Sequence, residues 1–206
     1  MFTGLIAEKG WIKGIQRKRQ MIQLTCEASK DLLSDYRIGD SMAVNGVCLT
    51  AIEKSDQLFT AEIMPETFKR TTFAYAKIGE VVNLERAMKA EQRFEGHIVS
   101  GHVDSVTRLV KKRADQNALI LTFFYPPNHL GEIIPQGSIA INGVSLTVTQ
   151  THASHFSVSL IPHSKSITNL GNLAVGAPVN IETDVIAKYL KAQRDKGRCF
   201  QERGLL

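Results

Sequence analysis

What the chain has little of already narrows its class. Its 206 residues contain three cysteines, one tryptophan and only 7% aromatic residues. Cys26, Cys48 and Cys199 are an odd number without metal-ligand spacing, so a disulfide framework is disfavoured and we expect no bound metal. No run approaches the ~20 apolar residues that cross a bilayer, and the N-terminus lacks the basic segment and apolar core of a signal peptide. We therefore expect a cytoplasmic protein that does not bind membranes.

The positive charge is concentrated near the C-terminus. The formal net charge is +5, and residues 184–206 contain six basic and three acidic residues. A nucleic-acid binder should show a basic stripe with interleaved aromatics, and the sequence has none, so we expect no nucleic-acid partner. A glycine-rich phosphate loop is also missing, which gives no support to nucleotide binding.

The chain contains an internal repeat. The segment Asn45–Thr50 (NGVCLT) recurs as Asn142–Thr147 (NGVSLT), an offset of 97 residues. The same offset relates many further identical residues, among them Gly4 and Gly101, Ser41 and Ser138, Pro65 and Pro162, Asn83 and Asn180, and Glu85 and Glu182. One register over such a length is not a chance match. It predicts two copies of one domain at residues 1–90 and 97–184, a polar linker at Lys89–Gly96, and a tail at 185–206 without a counterpart.

The pattern within each copy is that of an all-β domain. Period-two segments flank Asn45-Gly46, which is the strongest short signal for a β-hairpin. Further strands are expected at Leu58–Ile63, Val81–Leu84, Ala118–Phe124, Phe156–Ile161 and Val179–Ile181. Ser29 can cap a helix over Lys30–Tyr36, and Pro65 and Pro162 can each begin a short helix. About 90 residues with short strands favour a closed barrel of six or so strands, which removes exposed edges.

The tail predicts an α-helix. Asp184 can cap a helix that runs from Val185 to about Lys196 and ends at Gly197. Helical spacing places four apolar residues on one face, namely Val185, Ile186, Tyr189 and Leu190. This face could cover a barrel or meet other copies of the chain. We favour the second alternative, because the stripe is narrow and the opposite face is basic.

The informative positions are those where the two copies differ inside a matching frame. Cys48 corresponds to Ser145, Glu66 to His163, Leu5 to His102 and Asp40 to Gly137. Cys48 could be a packed strand residue or a reactive thiolate in a polar setting. His97 and His102 could be hydrogen-bonded surface histidines or could transfer protons. Glu66, Thr67, His163 and Ser164 could cap their helices or contact a ligand. The residues alone indicate a duplicated β-barrel with two related pockets, one richer in protic groups.

Five motifs in order resemble the riboflavin synthase α-chain family over essentially the whole chain. They are Met1–Ile6, Asn45–Thr50, Met64–Thr67, Gly96–Val103 and Asn142–Thr147. The resemblance implies two tandem six-stranded Greek-key barrels with a C-terminal oligomerisation helix, assembled as a homotrimer. It also implies that sites are shared between the N-terminal barrel of one subunit and the C-terminal barrel of a neighbour.

The implied reaction is the last step of riboflavin biosynthesis. Two molecules of 6,7-dimethyl-8-ribityllumazine bind per site, and a four-carbon unit passes from one to the other without a cofactor. The products are riboflavin and 5-amino-6-ribitylaminouracil. The resemblance also allows an association with a lumazine synthase.

By resemblance, ligand contacts fall in two sets related by the offset. The first set contains Gly4, Leu5, Ile6, Cys48, Leu49, Thr50, Glu62, Ile63, Met64, Pro65, Glu66 and Thr67. The second contains Gly101, His102, Val103, Gln136, Ser145, Leu146, Thr147, Ser159, Leu160, Ile161, Pro162, His163 and Ser164. The positions linked to catalysis are Ser41, Cys48, His97, His102 and Ser145.

Two residues depart from the pattern of the family. Asn142 replaces an Asp found in many relatives, so a carboxylate there is not essential in this chain. Gln136 replaces a frequent Lys, which weakens the expectation of a cationic contact to the ribityl chain.

Two rival functions remain open from the sequence. A lumazine- or flavin-binding antenna protein of the same superfamily would have lost the Cys and His set, whereas Cys48, His97 and His102 are present here. A flavin-dependent reductase would need a nicotinamide-binding βαβ domain, which the sequence does not show.

Overall fold

Two closed barrels and one long helix make up the chain. The computed structural model describes residues 1–18 and 21–202, with side chains described for 1–17 and 21–195. The first barrel consists of β1 (Glu8–Lys18), β2 (Met21–Glu27), β3 (Ser41–Val44), β4 (Val47–Lys54), β5 (Leu58–Ile63) and β6 (Val81–Arg86). The second consists of β7 (Ser105–Asp115), β8 (Ala118–Phe124), β9 (Ser138–Ile141), β10 (Val144–Thr151), β11 (His155–Leu160) and β12 (Pro178–Thr183). The helices are α1 (Lys30–Leu33), α2 (Pro65–Arg70), α3 (Pro162–Ile167) and α4 (Val185–Glu202), with 3-10 turns at Thr72–Tyr75, Pro127–His129 and Asn169–Asn172.

Both barrels have the same strand order. Around the first barrel the hydrogen-bonded order is β1-β2-β5-β4-β3-β6, and around the second it is β7-β8-β11-β10-β9-β12. In the first barrel β3, β4 and β5 form a meander and β6 returns beside β3. In the second barrel β9, β10 and β11 form a meander and β12 returns beside β9. This arrangement is a Greek key. All the strand pairs are antiparallel. The predicted all-β fold of two six-stranded Greek-key barrels with a C-terminal helix is confirmed.

The Asn-Gly turns set which residues face outward. Asn45 and Gly46 both have positive φ (48° and 77°), and Asn142 and Gly143 match them at 46° and 79°. Two successive positive φ values define the type I′ turn of a tight hairpin, as predicted. The next strand, β4, then alternates between the barrel interior, where Leu49 packs, and the outer surface.

Four asparagines join the barrels around a pseudo-two-fold axis. The Asn83 backbone N–H donates to Oδ1 of Asn45 at 2.8 Å, and Asn180 N–H donates to Oδ1 of Asn142 at 2.8 Å. Across the interface, Nδ2 of Asn83 donates to the Asn142 carbonyl at 2.9 Å, and Nδ2 of Asn180 donates to the Asn45 carbonyl at 2.8 Å. Because each bond has its counterpart at the repeat offset, the two halves are packed as near-symmetric partners.

The leading segment of each copy crosses to the opposite barrel. Phe2 and Val99 occupy equivalent positions and pair with each other in an isolated antiparallel bridge. Beyond this crossing, Ile6 packs in the core of the second barrel and Val103 packs against the core of the first. Residues 1–7 and 98–104 are therefore exchanged between the halves.

The short helices largely follow the sequence prediction. Ser29 Oγ accepts a hydrogen bond from the Leu32 N–H at 3.1 Å and caps α1, but this helix ends at Leu33, before the expected Tyr36. Pro65 and Pro162 begin α2 and α3 as predicted.

The expected end of the tail helix at Gly197 is wrong, because α4 continues to Glu202. A single glycine inside a helix costs only about 1 kcal/mol relative to alanine, and Lys196 and Arg198 on either side of it are good helix formers. Among the described residues, no helix has both the length and the apolar character needed to cross a membrane.

Two lysines attach α4 to the second barrel. Lys188 Nζ lies 2.7 Å from Asp104 Oδ2, and Lys191 Nζ lies 2.7 Å from Oε1 of the buried Glu132. Burial alone would raise the pKa of Glu132, but hydrogen bonds from Lys191, His129 and Thr183 bring it below the ordinary value for a glutamate. The polar side of the helix thus faces the barrel. The apolar side points away from it, with Ile186, Tyr189 and Leu190 exposed by 59%, 71% and 63%.

Candidate functional site

The first pocket lies on the outside of the N-terminal barrel. It has a volume of ≈ 380 Å³. Strand β4, helix α2 and the crossing segment of the second copy form its walls, and the lining residues are Val47, Cys48, Glu66, Thr67, Arg70, Thr71, Gly101, His102 and Val103.

The second pocket is its counterpart on the C-terminal barrel. It has a volume of ≈ 290 Å³ and is lined by Gly4, Leu5, Ile6, Glu95, Val144, Ser145, His163, Ser164, Ile167 and Thr168. Apart from Glu95, every one of these residues is the repeat partner of a residue in the first pocket. The two pockets are therefore copies of one ancestral pocket with different side chains.

Each pocket is completed by the opposite half of the chain. The Cys48 N–H donates to the Gly101 carbonyl at 2.9 Å, and the Ser145 N–H donates to the Gly4 carbonyl at 2.8 Å. Gly4–Ile6, predicted as ligand contacts in the same half of the sequence as Cys48, therefore do not lie beside Cys48 in the single chain. The crossing at Phe2 and Val99 brings Gly4–Ile6 to Ser145 instead.

Glycine is required where the segments touch the strands. Gly4 and Gly101 have φ of +78° and +81°, which side-chain-bearing residues rarely adopt. A Cβ on Gly101 would lie 2.5 Å from the Cβ of Cys48, and one on Gly4 would lie 2.6 Å from the Cβ of Ser145. Both the backbone conformation and the close approach therefore demand glycine.

Two buried glutamates hold the crossing segments. Glu85 accepts hydrogen bonds from the Thr3 N–H at 2.7 Å, from the Thr3 hydroxyl at 3.1 Å and from the Gly4 N–H at 3.1 Å. Glu182 accepts the equivalent bonds from the Ser100 N–H at 2.7 Å, the Ser100 hydroxyl and the Gly101 N–H at 3.0 Å. Burial raises the pKa of Glu85, although these bonds oppose the rise. The repeat pairs these two glutamates in the sequence without indicating a role for them. The available signal was an acidic residue at the same place in both copies, directly after an apolar residue that follows an asparagine.

A histidine from the end of the linker reaches the second pocket. Nδ1 of His97 lies 2.7 Å from the Ser145 hydroxyl, so the structure brings these two predicted catalytic residues together. His97 is buried, and burial lowers the pKa of its imidazole below the usual histidine value. Its Nε2 is buried as well, without a hydrogen-bond partner among the described residues. The neutral ring can exchange a proton with the serine hydroxyl.

The first pocket combines a thiol, an imidazole and a guanidinium group. Cys48 is half-buried on the outer face of β4 and shares the pocket with the exposed imidazole of His102. Glu66 forms an exposed ion pair with Arg70 at 2.7 Å across one turn of α2, which favours a helix-stabilising role for this glutamate. Arg70 also lines this pocket and was not among the predicted site residues. It gives this pocket a cation where the second has Ile167.

Several predicted contact residues lie on the outer faces of the barrels, next to the pockets. Ser41 pairs with Thr50, and Thr50 pairs with Glu62, so these three form one row across β3, β4 and β5. In the second barrel, Thr147 is exposed on β10 and Ser159 is half-buried on β11. Met64 and Ile161 are exposed by 69% and 56% immediately before Pro65 and Pro162.

Other predicted contact residues face away from the pockets. Four of them are buried in the barrel cores, so a ligand in a pocket could reach only their backbone: Leu49, Ile63, Leu146 and Leu160. Gln136 is exposed in the turn before β9 and does not line the second pocket. Over residues 1–18 and 21–202, no group of three His, Cys, Asp or Glu side chains is arranged to hold a metal ion.

Comparison with known proteins accounts for both halves of the chain. The profile of the lumazine binding domain matches residues 3–87 and 100–184. A riboflavin synthase of Actinobacillus pleuropneumoniae is 44% identical over 191 residues, which cover 93% of this chain and 88% of that protein. The chain belongs to the riboflavin synthase family. Another member, from Bacillus subtilis (strain 168), is 41% identical over 190 residues, covering 92% of this chain and 88% of that protein.

Solved structures similar to this chain show the same fold with ligands bound. LumP in complex with 6,7-dimethyl-8-(1'-D-ribityl) lumazine superposes with a TM-score of 0.80 at 27% identity, covering 89% of this chain and 99% of that one. LumP in complex with riboflavin gives a TM-score of 0.82 at the same identity and coverage. The relatives therefore include enzymes named riboflavin synthase and a ligand-binding protein of the same fold.

Proposed function

We propose that this chain is a riboflavin synthase that converts two molecules of 6,7-dimethyl-8-ribityllumazine into riboflavin and 5-amino-6-ribitylaminouracil. The observation that carries the proposal is the pair of equivalent pockets, because the donor and the acceptor of the four-carbon unit are the same compound. The two products together contain all the atoms of the two substrate molecules. The reaction therefore needs neither an oxidant nor a reductant, and we propose that it uses no cofactor.

We assign the proton-transfer chemistry to the first pocket. The lumazine 7-methyl group is acidic because its carbanion delocalises into the ring. His102 assists proton transfer at this methyl group or at the ring, and Cys48 assists addition and loss of a nucleophile at ring carbon 7. The support is that Cys48 and His102 line the same cavity. Ser41, which lies beside Thr50 at the edge of this surface, contributes hydrogen bonding.

The second pocket holds the partner lumazine. Ser145 and Thr147 bind the pteridine edge, and His97 sets the orientation and protonation of the Ser145 hydroxyl. The 2.7 Å contact between His97 and Ser145 supports this role. The remaining predicted contacts orient the ring and ribityl chain, and holding two rings in reactive geometry can lower the barrier by up to roughly 7–11 kcal/mol in ideal cases.

We further propose a homotrimer in which the N-terminal pocket of one subunit faces the C-terminal pocket of a neighbour. The support is the exposed apolar face of α4, which Lys188 and Lys191 hold outward from the barrel. A second copy of the chain would cover Ile186, Tyr189 and Leu190. In this assembly residues 185–206 act as the oligomerisation segment.

One incubation tests the reaction against binding alone. The purified chain is mixed with 6,7-dimethyl-8-ribityllumazine in a buffer without cofactors, and riboflavin absorbance is followed. We expect riboflavin and 5-amino-6-ribitylaminouracil in equal amounts. Stoichiometric binding of the lumazine without conversion would overturn the enzyme assignment and favour the antenna function. Oxidation of a reduced nicotinamide by the purified chain would instead favour a reductase.

A further inference from the structure

Glu85 and Glu182 are buried carboxylates at equivalent places in the repeat. Their exposed fractions are 5% and 3%. Neither lines one of the two pockets, yet each uses its carboxylate on the crossing segment that does. Since buried polar groups are retained where their hydrogen bonds are satisfied, these bonds fix the position of the segments.

The route from Glu182 leads to the first pocket. Glu182 lies on β12 of the second barrel and holds the N–H groups of Ser100 and Gly101. The Gly101 carbonyl in turn accepts the N–H of Cys48 at 2.9 Å, and His102 follows directly in the chain. A carboxylate of the C-terminal barrel thus positions the segment Ser100–His102, which lies next to Cys48 on the N-terminal barrel.

Equivalent hydrogen bonds connect Glu85 to the second pocket. Glu85 lies on β6 of the first barrel and holds Thr3 and Gly4. The Gly4 carbonyl accepts the N–H of Ser145 at 2.8 Å, and the Thr3 carbonyl accepts the N–H of His97 at 3.2 Å. A carboxylate of the N-terminal barrel therefore places the wall beside the His97–Ser145 pair.

We propose that Glu85 and Glu182 are reciprocal positioning residues, each of which fixes the pocket on the opposite barrel. If the glutamates only stabilised the fold, replacing one would chiefly disturb the barrel that contains it. In the reciprocal role, replacing Glu182 changes the surroundings of Cys48, and replacing Glu85 changes the surroundings of His97. The bearing of this arrangement on turnover rests on the proposed riboflavin synthase reaction, but its test measures pocket geometry and does not depend on riboflavin formation.

The test uses Glu85→Gln and Glu182→Gln in the full-length chain, and each variant is the matched control of the other. Glutamine has nearly the same shape but offers one acceptor oxygen and places an NH₂ group among N–H donors. The first readout is the rate of Cys48 alkylation by iodoacetamide, followed by peptide mass spectrometry that separates Cys48 from Cys26 and Cys199. The second readout is the pH titration of the His97 imidazole by NMR, assigned with His97→Gln.

The expected outcome is a crossed pattern. Glu182→Gln should speed Cys48 alkylation by about tenfold, as loss of a charged hydrogen bond loosens the wall over the thiol, and should leave the His97 titration unchanged. Glu85→Gln should move the His97 midpoint upward, toward the ordinary histidine value, and leave Cys48 alkylation unchanged. Effects on the same barrel, equal effects on both pockets, or no effect in folded variants would each overturn the proposal.

A second pair of variants makes smaller changes and tests the proposal even if the glutamine variants do not fold. Ser100→Ala removes the hydroxyl donor to Glu182, and Thr3→Val removes the corresponding donor to Glu85. Both retain the buried carboxylates and the backbone N–H bonds to them, and Ser100→Ala also removes the acceptor of the His102 N–H. They should give the same crossed pattern at smaller amplitude, and the opposite assignment of the two effects would refute it even if the glutamine variants did not fold.

Discussion

The two pockets have the same frame and different chemistry. In both, a glycine carbonyl meets a strand N–H, a buried glutamate holds the glycine segment, and a short helix begins at a proline. Within this frame the first pocket has Cys48, Arg70 and His102, and the second has the matching residues Ser145, Ile167 and Leu5. Duplication thus preserved the shape that receives a ligand, while side chains that do not support the frame were free to diverge. The comparison predicts that the same change at equivalent frame positions has an equal effect, each on its own pocket, and that changes at the divergent positions have unequal effects.

The largest effect is expected from breaking the proposed contact between subunits, which would bring the two unlike pockets together. Ile186→Asp combined with Leu190→Asp places charge on the exposed apolar face of α4 and leaves Lys188 and Lys191 in place. We expect monomers with little remaining activity, because burying two unpaired charges prevents assembly. Sedimentation and a riboflavin assay measure the two effects.

Deleting residues 185–206 should have the same result, but it also removes Lys191 from the buried Glu132. The control Ile78→Asp charges an equally exposed isoleucine at the end of the first barrel, 67% exposed, and should leave both assembly and activity intact. Full activity in a confirmed monomer would show that one chain suffices.

Alanine at either crossing glycine should cost the same stability, because Gly4 and Gly101 hold equivalent positions in the two pockets. Gly4→Ala and Gly101→Ala combine the strain of a left-handed backbone with a new close contact, so we expect each to lower the free energy of unfolding by about 2–5 kcal/mol. Urea denaturation measures the loss.

Gly79→Ala is the control for these two variants, because its φ is +89° but nothing lies within 4 Å of the added Cβ. It should lose only about 1–2 kcal/mol. A loss at Gly4 or Gly101 no greater than this would show that the segments yield to the added methyl group.

Exchange of Cys48 and Ser145 should affect the pockets unequally. Cys48→Ser should lower kcat by roughly tenfold or more with a smaller change in KM, because the proposed reaction uses the thiol and a hydroxyl would replace it poorly. Ser145→Cys should change KM more than kcat. Steady-state kinetics of both variants and of the double exchange measure the contrast. Wild-type turnover of Cys48→Ser would return Cys48 to the role of a packed strand residue.

The smallest effect concerns pH and should belong to the second pocket alone. Burial lowers the pKa of His97 from the ordinary value of 6.5, so below that value the unfolded chain binds a proton that the folded chain does not. Stability due to neutral His97 is therefore complete above about pH 6.5 and decreases as the pH falls toward the lower folded-state pKa. The free energy of unfolding, measured by urea denaturation at several pH values, should lose this slope in His97→Gln. His163→Gln, at the exposed rim of the same pocket, should retain it, and equal slopes in both variants would contradict the assignment.

The repeat explains how much of the fold and of the pockets could be predicted from the sequence. The hairpins follow from Asn45-Gly46 and Asn142-Gly143 because an Asn-Gly pair accepts two positive φ values. The offset of 97 residues is enough to place Cys48 and Ser145 at equivalent positions in the two copies. Gly197 misled the prediction, since one glycine in a favourable helical context does not end a helix.

The crossing of Gly4 and Gly101 was beyond the sequence, because an offset relates residues of equal position and does not say which copy they touch. The same holds for the partners of Glu85 and Glu182, which lie about 80 residues away in the chain.

The sequence by itself determined the duplication, the hairpin turns, the outward face of β4 and β10, and the unlike residues within each pocket, because these depend on local backbone preference and on alternation along a strand. Only the tertiary structure decided three features. Each pocket is completed by a segment of the other repeat copy, buried carboxylates hold these exchanged segments, and α4 turns its apolar side away from the barrel. These features depend on contacts between distant parts of the chain, which form only when both barrels close and pack around their common axis.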